Sequence, residues 1–218
     1  MDEPGGIAAD HAADHAADAA AAGADDAAFV AALKAGDARA FERLVRDHGG
    51  RLLAVARRMV RDDATAQDCL QEAFLSAHKA IGRFEPHGSL GGWLHRITVN
   101  ACLMRLRSAK RLAETPIDDL LPTFSPEGLR LGEPRTEARN PESELEAARL
   151  RRMVRGKIDA LPDGYRIVLL MRDIEGYSTR EAAEMIGIAE GALKVRLHRA
   201  RAALKTLVEP HWEGTGWS

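Results

Sequence analysis

The sequence has few aromatic residues, no long apolar run and only two cysteines. Aromatic residues make up 5% of the 218 positions, and alanine, leucine and arginine are abundant, which favours an all-α protein. No apolar stretch approaches the roughly 18 residues that a membrane-spanning helix needs. The acidic beginning also lacks the basic region of a secretory signal peptide. We therefore expect a cytoplasmic chain without membrane insertion.

The residues that enzymes and metal sites require are also scarce. The sequence contains no recognisable nucleophile–base pair and no glycine-rich loop that would cradle a phosphate. His11 and His15 lie four residues apart in the repeat AADHAADHAAD, but no further set of Cys or His ligands accompanies them. Cys69 and Cys102 fall in helical patterns that predict buried thiols rather than a disulfide or a sensor. We predict no enzymatic activity, no metal site and no cofactor.

Charge is distributed unevenly along the chain, although the net charge is only −2. Residues 1–28 carry seven acids and no Lys or Arg, and they offer no large apolar face, so a solvated tail is expected there. The stretches 96–111 and 191–205 each carry five Lys or Arg and no acid. This asymmetry predicts that part of the molecule contacts nucleic acid.

Three helices are predicted between residues 37 and 110. The first begins near Asp37 and can bend at Gly49–Gly50. Asp62 or Asp63 caps the second, which runs to about Ile81. After a loop at 83–90, RFEPHGSL, the third covers about 89–110. Helical spacing predicts these buried residues: Phe41, Leu44, Val45, Leu52, Val55, Ala56, Met59, Ala66, Cys69 or Leu70, Ala73, Phe74, Ala77, Trp93, Leu94, Ile97, Ala101 and Met104.

The second and third helices also carry polar faces. Asp68, Gln71, Glu72 and Leu75 share one side of the second helix, a pattern that on most surface helices is merely solvated. The basic third helix suits phosphate contacts, and an Asn beside a flexible loop can hold an unstacked base. Trp93 can stack on such a base, but its spacing favours the core.

Residues 112–141 break the helical periodicity and predict a flexible linker. Five prolines and two glycines fall in this stretch, together with the acidic pair Asp118 and Asp119. The sequence therefore divides into a tail at 1–28, a first domain at 29–111, the linker at 112–141, a second domain at 142–208 and a tail at 209–218.

The second domain ends in a predicted helix-turn-helix, which follows helices at about 142–161 and 165–173. Ser178 and Glu181 fit a capping box at the first helix of the pair, and Gly187 suits the turn. In the second helix, the predicted buried face is Leu193, Leu197, Ala200 and Leu204. The opposite face and its edges carry Ala192, Lys194, Val195, Arg196, His198, Arg199 and Ala202. A helix that is anchored on one side and basic on the other suits the major groove of DNA.

Two separate sets of motifs resemble the bacterial sigma-70 family, most closely its extracytoplasmic-function group. In the first domain these are Asp68 to Phe74, DCLQEAF, and Trp93-Leu94, Ile97, Asn100 and Leu103. In the second domain they are Leu161-Pro162, Arg166, Gly176-Tyr177-Ser178, Glu181-Ala182-Ala183, Ile186-Gly187 and residues 191–201. The resemblance covers about two thirds of the chain.

The resemblance implies an all-α sigma factor with two small helical domains. It implies binding to core RNA polymerase and to promoter DNA, in a stress, envelope or redox response controlled by an anti-sigma factor. The family linker occupies a polymerase channel. Implied polymerase contacts are Asp68, Gln71, Glu72 and Leu75. Implied contacts to the downstream −10 element are Arg83, Phe84, His87, Ser89, Trp93, Arg96, Asn100, Arg105 and Arg107. Implied contacts to the upstream −35 element are Ala192, Lys194, Val195, Arg196, His198 and Arg199.

The sequence departs from the family pattern at four positions. Ala189 stands where a capping Ser is usual, Ala192 and Val195 replace Thr and Ser, and Leu90 replaces an aromatic residue. Two polar partners for DNA are therefore absent, which leaves the promoter sequence open. Two other functions are compatible with parts of the pattern: a sigma mimic that titrates an anti-sigma factor without binding DNA, and a plain helix-turn-helix repressor.

Overall fold

The computed structural model describes residues 27–85, 89–109, 112, 116–121 and 144–213, with side chains of 144–147 and 211–213 left out. Within these ranges the chain is helical and contains no strand. His11, His15, His87 and most of the predicted tails and linker lie outside the described residues. No helix in the described part combines the length and the apolar character needed to cross a membrane.

The first helical unit contains α1 (27–34), α2 (Ala38–Met59), α3 (Asp63–Ala80) and α4 (Leu90–Ser108). Asp37, Asp62 and Ser89 cap the last three, each accepting a hydrogen bond from a backbone N–H of the first turn. A single 3-10 turn, Ile81–Arg83, follows α3. The predicted helices are thus confirmed, and α2 runs without interruption through Gly49–Gly50.

Most of the predicted buried residues of this unit are buried. Leu44, Ala56, Met59, Ala66, Ala77 and Leu94 are each at most 1% exposed. Between the two candidates Cys69 and Leu70, Cys69 is the buried one, and Cys102 is buried as well. Val45 and Met104 are 44% and 66% exposed, so predicting them as core was wrong. Val45 lies next to Leu44 along the helix, about 100° away, and Leu44 takes the inward position.

The second unit contains α5 (Glu144–Asp159), α6 (Asp163–Leu169), α7 (Thr179–Ile186) and α8 (Glu190–Glu213). The predicted helix at 165–173 is not uniform, because α6 passes into a wider π turn, Leu170–Ile174. That turn is closed by a hydrogen bond from the backbone N–H of Glu175 to the carbonyl of Leu170 (2.9 Å). α8 continues to Glu213, five residues past the predicted end of the second domain.

The helix-turn-helix of α7 and α8 forms as predicted. Ser178 Oγ accepts from the Glu181 N–H, and the Glu181 carboxylate accepts from the Ser178 N–H, which completes the capping box. Gly187 ends α7 with a φ of 80°, a left-handed conformation that other residues adopt at a cost. On the inner side of α8, Leu193, Leu197 and Ala200 are buried.

The two units pack against each other around one continuous apolar core. Its members come from both: Val55, Met59, Val99, Cys102 and Leu106 from the first, and Ile158, Leu161, Tyr165, Ile167 and Met185 from the second. Ile117, inside the predicted linker, is 2% exposed and joins the same core. It is followed by a 3-10 turn, Asp118–Leu120, which contacts α8. Residues 116–121 are therefore packed, in contrast to the flexible linker expected there.

Candidate nucleic-acid and protein interfaces

One exposed face of α3 carries all four residues implied in polymerase binding. Asp68, Gln71, Glu72 and Leu75 are each exposed, and Leu75 leaves 51% of its surface open to solvent. The face combines carboxylates and an amide around an apolar patch. Such a face can accept hydrogen bonds from Arg or Asn donors of a partner while burying Leu75.

A groove between α3 and α4 links this face to the predicted −10 residues. Asp68 and Glu72 form part of its α3 wall, and Asn100 and Arg105 lie on its α4 wall. Met104 and Ile97 supply apolar surface along the same wall. The structure therefore brings together four residues that the sequence assigned to two different partners.

Two of the predicted −10 residues have structural roles at the start of α4. Phe84 is only 6% exposed, and its ring lies 5.1 Å from the half-buried ring of Trp93. The structure does not support a DNA contact by Phe84, because its ring belongs to the core. Ser89 uses its hydroxyl to cap α4 by accepting from the Gly92 N–H at 3.0 Å. The core placement favoured for Trp93 agrees with its contact to Phe84.

The remaining described −10 residues lie along the exposed sides of α4 and the loop before it. Arg83, Arg96, Asn100, Arg105 and Arg107 are all exposed. Asn100 and Arg105 face the groove, whereas Arg96 and Arg107 lie on the side of α4 that meets the second unit. Arg107 Nη2 donates to the carbonyl of Met185 at 2.6 Å, and Arg96 lies 3.8 Å from the Glu181 carboxylate.

The recognition face of α8 is open to solvent. Ala192, Lys194, Val195, His198 and Arg199 are exposed, with Val195 55% exposed, while Arg196 is half-buried. Val195 is thus an exposed apolar side chain on a face that also carries Lys194, His198 and Arg199. This arrangement fits a surface in which Val195 meets an apolar atom of a base and the flanking cations meet phosphates.

A buried polar cluster between the two units escaped prediction. The Glu175 side chain is 4% exposed and lies 2.8 Å from Arg58 and 2.7 Å from Nε2 of His95. The Tyr177 hydroxyl lies 3.1 Å from Nδ1 of the same imidazole. Both contacts of His95 are satisfied when its proton is on Nε2, which then donates to Glu175 while Nδ1 accepts from Tyr177. We call Arg58, His95, Glu175 and Tyr177 the interface cluster.

Burial and hydrogen bonding shift the pKa values of this cluster. Burial alone raises the pKa of Glu175, but hydrogen bonds from His95 and Arg58 together outweigh it, so the net pKa is below its usual 4.5. Burial raises the pKa of Tyr177 to about 12, so the phenol stays protonated and can donate. The partners of Glu175, Arg58 and His95, lie 117 and 80 positions away in the sequence, so no local spacing could have revealed them.

Arg166 of the second unit forms hydrogen bonds with the carboxyl end of α2. Its side chain is 1% exposed, and it donates to the carbonyls of Arg58 and Met59 at 2.7 and 2.8 Å. These are among the last carbonyls of α2, which have no partner within the helix. Arg61 makes a parallel contact in the other direction, donating to the carbonyl of Leu161 at 2.8 Å. The two units are thus joined by buried polar contacts as well as by the apolar core.

Comparisons with known proteins agree in both halves of the chain. Residues 44–112 match the family model for sigma-70 region 2, and residues 151–204 match the model for sigma-70 region 4. The ECF RNA polymerase sigma factor SigM of Mycobacterium tuberculosis is 39% identical over 84% of this chain and 84% of its own length. The ECF RNA polymerase sigma-E factor of Escherichia coli is 29% identical over 85% of this chain and 95% of its own length. A solved structure of RpoE from Bartonella quintana with the anti-sigma factor NepR covers 78% of this chain and 96% of that chain, at 22% identity and a TM-score of 0.47.

Proposed function

The chain belongs to the ECF group of the sigma-70 family, and from this we propose that it binds core RNA polymerase and directs initiation at its own set of promoters. One observation carries the proposal. Two exposed surfaces of different chemistry, the acidic face of α3 and the basic face of α8, lie in regions 2 and 4 respectively, in the order that the family requires. The first suits a protein partner and the second suits DNA.

The individual contacts follow from where the side chains lie. Asp68, Gln71, Glu72 and Leu75 dock on polymerase. Asn100, Arg105 and Arg83 contact the −10 element from α4 and its loop. Lys194, Val195, His198 and Arg199 contact the −35 element from α8.

We assign the domain boundaries at 29–111 and 142–208. We also assign the protein to the cytoplasm, because transcription takes place there. The proposed function of the protein includes no catalytic activity. We expect an anti-sigma factor to regulate the protein.

Each of the two other candidate functions fails to account for one of the two exposed surfaces. A sigma mimic that only titrates an anti-sigma factor does not need exposed cations along α8, yet Lys194 and Arg199 are solvent-exposed. A plain helix-turn-helix repressor does not need the α3 face or the groove beside it. The sigma factor is the function in which both surfaces have a use.

Run-off transcription with purified core polymerase tests the proposal. We expect the chain to direct initiation from a subset of genomic fragments, each with a fixed start site. A chain that stimulates no initiation, but still binds an anti-sigma factor, would favour the mimic. Specific DNA binding that lowers transcription by another holoenzyme would favour the repressor.

A substitution on α3 tests the polymerase face directly. Gln71→Ala combined with Glu72→Lys removes an acceptor and reverses a charge at the predicted interface, so retention of core polymerase in a pull-down should fall at least tenfold. Glu42→Lys makes the same charge reversal on an exposed residue of α2 and is the control. Wild-type retention by the folded double variant would remove this face from the assignment.

A further inference from the structure

The two cysteines of the chain lie next to each other between α3 and α4. The spacing around each one predicted a buried thiol rather than a disulfide or a sensor, and burial is confirmed: Cys69 is 4% exposed and Cys102 has no exposed surface. Both belong to the same apolar core, and their thiols are hydrogen-bonded to each other. The sequence gave no sign of this contact, because helical spacing describes one helix at a time.

The packing of α3 against α4 suits a bond between these two residues. Ala66, Ala73 and Ala77 are buried on the same side of α3 as Cys69. Helices approach each other most closely where the side chains between them are small. A disulfide needs Cα atoms about 4.4–6.8 Å apart, which a contact lined by alanines permits. The two thiols therefore meet at a place where the helices can be joined.

The groove between α3 and α4 gives an oxidant access to one of the two sulfurs. Cys69 lines this groove, together with Glu72, Asn100 and Met104. Hydrogen peroxide is only slightly larger than water, so it can reach Cys69 along the groove. Cys102 lies behind Cys69 in the core and is closed off from solvent. Cys69 is thus the thiol that meets a small oxidant first.

The surroundings move the pKa values of the two thiols in opposite directions. The hydrogen bond from Cys102 lowers the pKa of Cys69, and the charge of Arg105 acts in the same direction, against the effect of burial. The hydrogen bond with Cys69, together with burial, raises the pKa of Cys102. The thiolate is the form that reacts with peroxide, so the accessible thiol is also the one that ionises more readily.

We propose that hydrogen peroxide oxidises Cys69 and Cys102 of the free chain to a reversible disulfide. The Cys69 thiolate attacks peroxide, the O–O bond breaks, and the departing hydroxide takes up the proton that Cys69 lost, which gives water and a sulfenic acid. The Cys102 sulfur then attacks the Cys69 sulfur. The S–S bond forms and the S–O bond breaks, as water leaves with the proton of Cys102. One peroxide and two thiols thus give one disulfide and two waters.

The disulfide joins the two walls of the groove covalently. One wall carries Asp68 and Glu72 and the other carries Asn100 and Arg105, so their relative position is fixed while the bond lasts. Cytosolic disulfides are typically transient and redox-sensing, because cellular thiols reduce them again. The effect on transcription rests on the proposed sigma function, in which polymerase and the −10 element use these walls. Oxidation should lower initiation, and reduction should restore it.

Intact-mass spectrometry of the full chain tests the disulfide. After a stoichiometric pulse of hydrogen peroxide that is ended with catalase, the monomer should be lighter by two hydrogen atoms and should no longer react with iodoacetamide. Dithiothreitol should restore both thiols. Because the chain has no other cysteine, the mass identifies the bond without further mapping. A monomer that keeps both thiols, a monomer that only gains oxygen, or a product that is only a disulfide-linked dimer overturns the proposal.

Single variants test which thiol reacts first. Cys102→Ala should gain oxygen at Cys69 during the pulse, whereas Cys69→Ala, which keeps only the closed-off thiol, should gain none. The reverse pattern would overturn the assignment of Cys69 as the attacking thiol. Circular dichroism checks that each variant is folded. If neither folds, the mass of the wild type still decides whether the disulfide forms.

Run-off transcription tests the effect on function. The chain is oxidised alone, freed of peroxide and then mixed with untreated core polymerase, and it should give several-fold less product than the reduced chain. The double variant Cys69→Ala/Cys102→Ala should give the same yield with and without the pulse. Equal losses in both proteins, or full yield from the disulfide form, would overturn the regulatory effect. If no reduced sample initiates transcription, the sigma function fails while the mass result stands.

Discussion

The structural role of Arg166 cannot be read from a short sequence motif. It caps the carboxyl end of α2 from a different part of the chain, through two donors of one guanidinium. Burial lowers the pKa of Arg166, and the nearby carboxylate of Asp163 opposes that shift. An arginine starts from so high a pKa that it stays charged even so. A lysine at this position would keep the charge but lose the paired donors.

At the level of single contacts, we expect the exposed face of α8 to contribute to the affinity and to the selectivity of DNA binding through different residues. Lys194 lies at the edge of the exposed face, where phosphates are within reach, and Arg199 lies nearer its centre. Lys194→Ala should weaken binding to all upstream elements alike and reduce the salt slope by about one unit. Arg199→Ala should instead remove about 1–3 kcal/mol of discrimination against mutated elements. Titration of holoenzyme on cognate and single-substituted promoters at several salt concentrations measures both.

The same titration can contradict the assignment of Lys194 to phosphates and of Arg199 to bases. Equal weakening of every sequence by Arg199→Ala, with discrimination unchanged, would make Arg199 a phosphate contact. A change in selectivity from Lys194→Ala would mean that the edge of the helix reads bases. Arg39→Ala, an exposed arginine on α2, serves as the control for loss of charge alone.

At the level of helices, the two members of the helix-turn-helix differ in how they begin. α7 has a complete capping box, whereas α8 begins after Ala189, whose side chain cannot accept a hydrogen bond. Ala189 is exposed, so a hydroxyl fits there without disturbing the core. Ala189→Ser should add about 1 kcal/mol to the free energy of unfolding and raise Tm by about 2–4 °C. Thermal unfolding followed by circular dichroism measures it.

The existing cap provides the control for that substitution. Ser178→Ala removes the hydroxyl that accepts from Glu181, and it should lower the free energy of unfolding by about the amount that Ala189→Ser adds. If Ser178→Ala lowers Tm but Ala189→Ser leaves it unchanged, the start of α8 is already satisfied by other means. The capping account of α8 would then be wrong.

Local signals in the sequence were sufficient for most helices. The apolar spacing of α2 and α3, the caps at Asp37, Asp62 and Ser89, and the capping box at Ser178 all act within a few residues. Their physical causes are local hydrogen bonds and one buried stripe, so a single stretch contains the information. The same holds for the exposed faces of α3 and α8, which follow from helical geometry.

Features that depend on distant residues were not predictable in this way. Ile117 is buried in a core that it shares with residues from both units, which lie far apart in sequence. The interface cluster contains a hydrogen bond between residues 117 positions apart, Arg58 and Glu175, and a charged residue alone gives no sign of its partner. Sequence spacing describes one element at a time, and these contacts belong to pairs of elements.

For the molecule as a whole, the interface cluster makes compactness depend on pH. The folded pKa of Glu175 is lowered, so its contribution is complete above its usual value of 4.5 and is lost as the pH falls through the lower folded value. On protonation, Glu175 loses its charge–charge contact with Arg58 and becomes a weaker acceptor for the Nε2 proton of His95. Scattering between pH 7 and about 3 should therefore show expansion of the wild type at the acidic end.

Glu175→Gln removes the titrating group and isolates its effect. Its radius of gyration should change less with pH than that of the wild type over the same interval. Circular dichroism at each pH separates opening of the two units from loss of helix. Identical pH profiles for the two proteins would assign the acid response to other titrating groups.

The groove between α3 and α4 has a consequence for the order of assembly. Its walls place Asp68 and Glu72 beside Asn100 and Arg105, so in the free chain two carboxylates stand where a DNA strand would pass. If polymerase donors occupy the α3 face as proposed, they would pair with those carboxylates and reduce their repulsion of phosphates. By linkage, DNA bound in the groove would then raise the affinity for polymerase by the same factor. The chain would then meet single-stranded DNA as part of the enzyme and would not search for it alone.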